Sequence, residues 1–515
     1  MRVALTVADF VDRAALVYGS RVAVVDEPEV AGSLGELTYA DVEARARGMA
    51  LALDRLGVAH GARVAIVSPN SARFLISYFG VSAFGRILVP INFRLTSAEI
   101  AYIVEHSGAD VLLYDPDLTN VVAGIPVPHR FALDGVSDAD LFAPAAPGVR
   151  PQEWEGEEDA TCSVNYTSGT TARPKGVQLT HRNCWLNAVT FGWHTGVDDR
   201  DVILHTLPMF HCNGWGMPYA VTGMGGRHVV LRKVDGEEIL ARIEQHGVTL
   251  LCGAPAVVAA ILDAASARVT GGRAVPGRGT VRIVVAGAPP PSKSIERIET
   301  ELGWEFIQIY GLTETSPLLT INRAPSEWDD VPPVERSQRL SRAGVPAIGV
   351  QIAVDDEGEV LARSNHVFAG YWEQPEETAA ALADGWFHTG DGGYLDGGYL
   401  AISDRKKDVI ITGGENVSSI EVEDCLYQHP AVAEVAVIGV PHEKWGETIK
   451  ALVVLRSETG ASEDELIAHC RDRMAHFKAP TTIEFRQELD RTATGKLQKY
   501  KLRQSYWSGR ERTVN

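Results

Sequence analysis

Tyr166-Thr-Ser-Gly-Thr-Thr-Ala-Arg-Pro-Lys-Gly-Val177 is the stretch of this chain that decides its fold and its chemistry. It follows a short β-prone run and gathers hydroxyl, glycine and basic residues into one polar turn. Gly169 and Gly176 let backbone N–H groups approach a ligand closely, and Lys175 supplies a compact positive charge. The stretch therefore predicts a loop that binds a polyphosphate. Its hydroxyl donors are Thr167, Ser168, Thr170 and Thr171.

The loop does not follow the Walker pattern Gly-x4-Gly-Lys-[Ser/Thr]. Pro174 stands where that pattern requires its second glycine, and Gly176 stands where it requires a hydroxyl. The alternative interpretation is a hydroxyl-rich surface loop, which would suit any of the dipeptides taken alone. The full string disfavours that alternative, because chance matches become rarer as a motif lengthens.

Three further motifs follow the loop along the chain, and together the four resemble those of the adenylate-forming superfamily. This superfamily contains acyl-CoA synthetases, adenylation domains of peptide synthetases and firefly-type luciferases. The resemblance covers essentially the whole chain and is closest to acyl-CoA synthetases of the fatty-acid type. The three motifs are Tyr310-Gly-Leu-Thr-Glu314, Thr389-Gly-Asp391 with Asp404-Arg-Lys-Lys-Asp408, and Thr494-Gly-Lys496.

Length and composition bound the class of protein. At 515 residues the chain is too long for one ordinary core, so two or more domains are expected. A net charge of −19 argues against a general nucleic-acid or anionic-membrane surface, while a local basic pocket is still allowed. The six cysteines form no Cys-x-x-Cys pair, which favours reduced thiols, and no structural metal is expected. No stretch reaches the ~18 uncharged apolar residues of a membrane span, so we expect a cytoplasmic protein.

The order of apolar runs predicts an α/β fold. Short β-like runs alternate with helical patterns over most of residues 38–310, which indicates doubly wound sheets in a large N-terminal region. From Gly344 to Leu400 the pattern changes to hairpin-like segments, typical of a small β subdomain. The rest indicates a compact α+β unit. The predicted division is an N-terminal adenylation domain, residues 1–406, and a mobile C-terminal domain, residues 407–515, with the hinge at Lys407.

Candidate ligand-binding residues follow several of the predicted strands. In open α/β sheets, ligands bind beyond the carboxyl ends of the strands. His211, Gly287 and the segment 310–314 each come at or after such an end. We therefore expect them to line one cleft.

The resemblance implies that a carboxylate attacks the α-phosphorus of ATP in line and that pyrophosphate leaves. The protein then mainly positions groups and neutralises charge. Lys175 and the hydroxyls around it would hold the β- and γ-phosphates, and Thr313 would reach the α-phosphate. Glu314 matches the residue associated with Mg²⁺, a hard cation that prefers oxygen ligands. Taken alone, Glu314 would be interpreted as a solvated carboxylate.

The resemblance also implies a nucleoside site. Asp391 and Arg405 match residues that hold the ribose hydroxyls, and a carboxylate can accept hydrogen bonds from both. Tyr310 would stack on or cover the adenine. The alternative for Asp391 is a turn residue, because Asp391-Gly-Gly393 has the composition of a turn. The small residues that let the base and the acyl group lie close to the backbone are Gly287, Ala288 and Gly311.

Five C-terminal positions are assigned by resemblance. Lys496 matches a lysine that enters the site during adenylation and binds the carboxylate oxygen and the α-phosphate. Gly413, Gly414 and Glu415 resemble the stretch that lines the pantetheine channel of CoA ligases after the C-terminal domain rotates. Lys407 matches the hinge position. Taken alone, each lysine would be interpreted as a solvated charge.

The predicted acyl site centres on Pro208-Met-Phe-His-Cys-Asn-Gly-Trp215. His211 matches a position where the acyl site meets the thiol channel, and the alternative is a histidine that caps a strand end. Trp215 resembles a tryptophan that gates the acyl tunnel, and the alternative is a core residue. The predicted substrate-contacting residues are His211, Asn213, Trp215, Gly287 and Gly311.

We therefore predict an AMP-forming acid–thiol ligase that uses ATP, Mg²⁺ and CoA. Its substrate would be a hydrophobic acid, such as a fatty acid, an aryl acid or a bulky cyclic acid. The alternative within this chemistry is an enzyme that loads the acid onto a carrier protein, although no carrier domain follows Lys496. A luciferase-like oxygenase and an inactive nucleotide-binding regulator are the alternatives from other classes. The expected partners are small molecules, and a homodimer is left open.

Overall fold

A computed structural model describes residues 1–30, 32–167, 174–288, 290–405, 408–412, 415–442, 445–456, 460–491 and 497–507, without the side chains of residues 404, 405 and 416. The described residues form two large sheets, a small antiparallel sheet and a C-terminal sheet. This architecture confirms the predicted fold class.

The strands are numbered in chain order. They are β1 (Val22–Val25), β2 (Glu36–Thr38), β3 (Arg63–Val67), β4 (Ile87–Ile91), β5 (Val111–Tyr114), β6 (His129–Ala132), β7 (Thr161–Thr167), β8 (Lys175–Thr180), β9 (Val202–His205), β10 (Arg227–Val230), β11 (Leu250–Gly253), β12 (Arg282–Val285), β13 (Glu305–Gly311), β14 (Leu318–Arg323), β15 (Val345–Pro346), β16 (Val350–Val354), β17 (Glu359–Ser364), β18 (Gly370–Tyr371), β19 (Phe387–Asp396), β20 (Tyr399–Arg405), β21 (Ile410–Thr412), β22 (Glu415–Val417), β23 (Val432–His442), β24 (Gly446–Leu455) and β25 (Thr482–Phe485).

The α-helices are amphipathic or buried segments between these strands. They are α1 (Ala8–Tyr18), α2 (Tyr39–Arg55), α3 (Ala72–Ser82), α4 (Ser97–Ser107), α5 (Thr119–Val122), α6 (His181–Thr195), α7 (Met217–Met224), α8 (Gly236–His246), α9 (Pro255–Thr270), α10 (Ser292–Arg297), α11 (Pro333–Leu340), α12 (Pro375–Ala381), α13 (Ser419–Tyr427), α14 (Glu463–Arg471) and α15 (Lys499–Gln504).

Local sequence signals set several helix starts. The Thr38 hydroxyl accepts a hydrogen bond from the Asp41 N–H, and the Asp41 side chain accepts one from the Thr38 N–H, so α2 begins with a capping box. The Ser462 side chain accepts from the Glu465 N–H at the start of α14. Each such cap contributes about 1 kcal/mol. These two helix starts are therefore set by residues within three positions of each other.

The two large sheets enclose the main core. The nine-stranded sheet has the order β15-β14-β13-β12-β11-β9-β10-β1-β2, and its strands from β13 to β1 are parallel. The seven-stranded sheet has the order β18-β8-β7-β4-β3-β5-β6, with parallel pairing from β7 to β6. Buried side chains of both sheets, such as Leu88 and Ile307, belong to one cluster. Burying such a side chain contributes about 1.5–3 kcal/mol.

The remaining strands form the two smaller sheets. Strands β16, β17, β19 and β20 make the antiparallel sheet of the predicted β subdomain. In the C-terminal sheet, β23 and β24 form a long hairpin and β25 pairs in parallel with β24. Apolar clusters cover both faces of this sheet, one with α13 and α14 and the other with α15. No helix in the described part of the chain has the length and apolarity that crossing a bilayer requires.

Candidate adenylation site

The predicted phosphate loop connects two antiparallel strands. Thr167 at the end of β7 is the register partner of Lys175 at the start of β8, so the two strands pair up to both ends of the loop sequence. Thr167 and Lys175 are both half-buried. The predicted loop residues Ser168, Gly169, Thr170 and Thr171 lie outside the described residues.

Lys175 has two neighbours that the sequence did not indicate. Its ammonium forms an ion pair with the Glu377 carboxylate and lies 4.9 Å from the centre of the Tyr371 ring. Strand β18 brings Tyr371 there by pairing with β8, with Tyr371 opposite Val177. The Trp372 N–H also donates to the Gly176 carbonyl at 2.7 Å. The segment after β18 is therefore fixed against the strand that carries Lys175.

Glu314, the predicted magnesium ligand, contacts the same tyrosine at its hydroxyl. The Tyr371 hydroxyl donates to Glu314 Oε1 at 3.0 Å. Burial and the Glu314 charge raise the pKa of Tyr371 above its ordinary value, so the hydroxyl keeps its proton and acts as the donor. A carboxylate combined with substrate phosphates is a usual environment for Mg²⁺, so this residue fits the ion. Thr313 precedes Glu314 in a short 3₁₀ turn, Thr313–Thr315.

The predicted adenine residue contacts a predicted ribose residue, and the two belong to different sheets. Tyr310 is near the end of β13, and its hydroxyl donates to Asp391 Oδ2 at 2.9 Å. Asp391 is buried within β19, so its alternative interpretation as a turn residue is wrong. Position 405, the predicted second ribose contact, is its register partner on β20. The Arg405 side chain lies outside the description.

Gly311 and Gly287 occupy positions that favour glycine for different reasons. A Cβ on Gly311 would lie 1.6 Å from the Pro317 carbonyl oxygen, so no side chain fits without moving that backbone. Gly287 follows β12 with a φ of +95°, in the left-handed range that glycine adopts most readily. Ala288 follows it and is half-buried. These positions lie at the carboxyl ends of parallel β12 and of its neighbour β13.

The segment after His211 forms a left-handed turn. Residues 212–216 have successive φ values of 45°, 49°, 58°, 59° and 78°. Such a run is costly for L-amino acids, at about 1–2 kcal/mol for each non-glycine residue. Asn213 and Gly214 are the residue types that tolerate this conformation best. Strain of this kind is retained where neighbouring structure enforces it.

Hydrogen bonds to three other parts of the fold hold this turn. Asn187 of α6 donates to the Trp215 carbonyl at 3.2 Å and accepts from the Leu318 N–H at 3.1 Å. The Asn213 amide donates to the Ser163 hydroxyl of β7 at 2.7 Å. The Cys212 thiol donates to the Thr313 carbonyl, with 3.9 Å between sulfur and oxygen. The turn is thus joined directly to the segment that carries Glu314.

The predicted acyl-site residues differ in exposure. His211 is half-buried at the start of the turn, whereas Asn213 and Trp215 are buried. Trp215 lies in the main core cluster, as its core alternative requires, and its role as a gate stays a prediction. The Asn70 side chain holds the segment that precedes His211, because its amide donates to the carbonyls of His205 and Leu207 at 2.8 and 3.0 Å.

Sequence reasoning missed Tyr371, Glu377, Asn187 and Asn70. Glu377 and Lys175 are separated by 202 positions, and only tertiary structure brings them together. For the left-handed turn, the dipeptide Asn213-Gly214 is a signal that could have been used.

The C-terminal assignments are described only in part. Lys407, Gly413, Gly414 and Lys496 lie outside the described residues. Glu415 is exposed at the start of β22, in register with Thr412 of β21. The roles assigned to these five residues stay predictions.

Two family models match the chain. The model described as AMP-binding enzyme matches residues 11–372, and the model described as AMP-binding enzyme C-terminal domain matches residues 421–496. Together they span the region that carries Lys175 and Glu314 and the strands β23, β24 and β25 of the C-terminal sheet.

Similar proteins agree with these matches. The 2-methylpropanoate–CoA ligase CCL4 of Humulus lupulus is 37% identical, with 97% of this chain and 94% of that protein covered. The 4-hydroxybutyrate–CoA ligase 2 of Metallosphaera sedula is 35% identical, with the same shares covered. The crystal structure of the anthranilate CoA ligase AuaEII with anthranoyl-AMP superposes with a TM-score of 0.87 at 28% identity, and 98% of each chain is covered. The chain therefore belongs to the AMP-binding enzyme family, among its AMP-forming acid–CoA ligases.

Proposed function

We propose that this chain joins a compact, apolar monocarboxylic acid to CoA through an acyl-adenylate. The observation that carries the proposal is the linkage of Lys175, Tyr371 and Glu314, next to the turn that follows His211. Lys175, which could bind phosphates, and Glu314, which could bind a metal ion, therefore contact the same tyrosine. The segment that carries Glu314 contacts the turn that carries the buried Trp215.

The first half-reaction would use groups from both large sheets. The acid carboxylate attacks the α-phosphorus, an acyl–phosphate bond forms, and pyrophosphate leaves with the electrons of the broken bond. Lys175 neutralises charge on the β- and γ-phosphates, and Tyr371 fixes the orientation of the Glu314 carboxylate. Mg²⁺, when bound at Glu314, would supply further neutralisation of phosphate charge.

The nucleoside would lie against Tyr310 and Asp391. Their hydrogen bond fixes the Asp391 carboxylate, which can then accept from the ribose hydroxyls, while the Tyr310 ring covers the adenine. Asp391 is buried, so such hydrogen bonds form in a shielded environment where they are stronger.

The second half-reaction would require the C-terminal domain to move. Lys496 and the Gly413–Gly414 stretch cannot both occupy the site at one time, so we place the division between residues 1–406 and 407–515, with the hinge at Lys407. The CoA thiol then attacks the acyl carbonyl, a thioester forms, and AMP leaves.

The surroundings of His211 favour a compact apolar acid over a long fatty acid. Trp215 is buried among apolar side chains, and hydrogen bonds made by Asn187 and Asn213 fix the turn that carries it. A long chain would have to displace that tryptophan. The relatives named above for 2-methylpropanoate and anthranilate act on acids of this compact kind.

The test is a panel of acids that differ in length, branching and ring content, each assayed for pyrophosphate release and for acyl-CoA by mass spectrometry. We expect the highest kcat/KM for short, branched or aryl monocarboxylic acids, with thioester formed from free CoA. Preference for long-chain acids would overturn the proposed acid class. Pyrophosphate release without thioester would instead support the alternative of carrier-protein loading.

A further inference from the structure

Glu377 pairs with the lysine that is proposed to hold the phosphates of ATP. Its carboxylate contacts the Lys175 ammonium, on the same side of β8 as the Tyr371 ring. Lys175 therefore has an internal counter-ion before any nucleotide arrives. A triphosphate can engage this lysine fully only by displacing Glu377.

The backbone of Glu377 is held close to the lysine by its own helix. The Tyr371 N–H donates to the hydroxyl of Thr378, the next residue of α12, at 2.8 Å. The Thr378 N–H donates to the Gln374 carbonyl at 3.0 Å. The carboxylate itself is free to turn towards water, because the Glu377 side chain is 52% exposed whereas that of Lys175 is 20% exposed. With this geometry, the ion pair between Glu377 and Lys175 can break and re-form by side-chain rotation alone, without movement of the backbone.

From this geometry we propose that Glu377 is a competing counter-ion for Lys175, which weakens the binding of pyrophosphate and thereby speeds its release after adenylation. This inference rests on the proposed function. The pair is partly exposed, so its strength is modest and a polyanion can break it. Once the bond to the α-phosphorus has broken, Glu377 competes for the lysine and repels the leaving pyrophosphate.

Release matters here because, in the proposed reaction, the thioester step follows adenylation, and bound pyrophosphate can reverse adenylation. Product release limits turnover in many enzymes. Glu377 thus acts through Lys175 as a positioning residue, and its role is specific to ligands that carry β- or γ-phosphates.

The test compares Glu377→Gln with the wild-type full chain by isothermal titration calorimetry, using pyrophosphate, ATP and AMP with Mg²⁺. We expect the variant to bind pyrophosphate and ATP about three- to tenfold more tightly, because it loses both the competing ion pair and the like-charge repulsion. AMP has no β-phosphate, so its affinity should stay within about twofold. High salt should reduce the difference in pyrophosphate and ATP affinity between the variant and the wild type, since partly exposed charges are screened.

The matched control is Glu376→Gln, which removes an exposed carboxylate from the same helical turn. It should leave all three affinities at their wild-type values. Unchanged or weaker pyrophosphate binding in Glu377→Gln would overturn the inference, as would an equal change for AMP. If the wild-type chain binds neither ATP nor pyrophosphate, the proposed function itself fails. If the wild-type chain binds both ligands and Glu377→Gln binds them with the same affinity, only the role of Glu377 fails.

Discussion

Asp424 of the C-terminal domain caps a helix of the N-terminal domain at Ser292. Its Oδ1 accepts from the Ser292 N–H at 3.0 Å and from the Ser292 hydroxyl at 3.1 Å. The preceding residue, Pro291, supplies no capping side chain for α10. Helix α10 begins shortly after Gly287 and Ala288, so this contact joins the C-terminal domain to the wall of the candidate site.

Asp424→Ala should change the balance between the two half-reactions, because alanine cannot accept the two hydrogen bonds from Ser292. The contact can exist in only one arrangement of the domains, and a helix cap contributes about 1 kcal/mol, which corresponds to about a fivefold shift in population. We expect the ratio of acyl-AMP formation to thioester formation to change by about that factor in rapid-quench experiments. The exposed Asp464→Ala serves as the control. Equal rates for Asp424→Ala and wild type in both half-reactions would contradict this role.

Lys496→Ala should impair the first half-reaction and spare the second. A lysine that enters the site only for adenylation stabilises only that transition state, so acyl-AMP formation should fall by about a hundredfold or more. Purified acyl-AMP and CoA, supplied to the variant, should still give thioester at close to the wild-type rate. A similar loss in both reactions would show that the lysine is structural or shared.

Lys407→Pro should trap one domain arrangement. Proline fixes φ near about −65° and removes the N–H, so a hinge that must change its backbone dihedrals can no longer do so. We expect adenylation to persist while thioester formation from preformed acyl-AMP falls by orders of magnitude. Full retention of both reactions would place the hinge elsewhere.

The sequence predicted those features of the fold and the site that depend on residues close together along the chain. The alternation of strands and helices predicted parallel strands that end near His211, Gly287 and Tyr310, and the structure contains them. The caps at Thr38 and Ser462 are local signals of the same kind, since each partner lies three residues further on. These features need only neighbouring residues.

Long-range pairs could not be predicted in this way. The Glu377–Lys175 ion pair joins residues of separate chain segments, and no local pattern specifies it. The same holds for Asp424 and Ser292, which lie in different domains. The cysteine spacing likewise gave no sign that the Cys162 and Cys184 sulfurs lie 3.4 Å apart.

Trp215→Ala should widen the range of acids that the site accepts. Removing a buried indole opens a cavity, at a cost of about 3–5 kcal/mol in the free energy of unfolding. We expect kcat/KM for bulky acids to rise about tenfold relative to compact acids, with KM for ATP nearly unchanged. Trp215→Phe should give a smaller shift. An unchanged acid profile with a large loss of thermal stability would show that Trp215 is only a core residue.

His181 should make the fold sensitive to acid. It is buried and accepts a hydrogen bond from the Val7 N–H at 3.3 Å, and burial lowers its pKa to about 3 from the ordinary 6.5. Below the ordinary value the unfolded chain binds a proton that the folded chain does not, so stability is lost as the pH falls. The free energy of unfolding should decrease by up to about 1.4 kcal/mol per pH unit from this residue alone.

His181→Gln should remove that one-proton contribution. Urea denaturation at several pH values between about 7 and 5 measures the slope for both chains, and the shared carboxylates cancel in the difference. Parallel slopes for wild type and variant would contradict the assignment.

The central claim is that this chain forms an acyl-adenylate from a compact apolar acid. The most direct test is the exchange of labelled pyrophosphate into ATP, measured without CoA and with or without the carboxylic acid substrate. The account predicts exchange that requires a compact apolar acid, because acyl-AMP forms reversibly at the site between Lys175, Glu314 and His211. Adding CoA should replace exchange by net formation of AMP and acyl-CoA in equal amounts. Absence of exchange with every acid, or the appearance of ADP and phosphate as products, would contradict it.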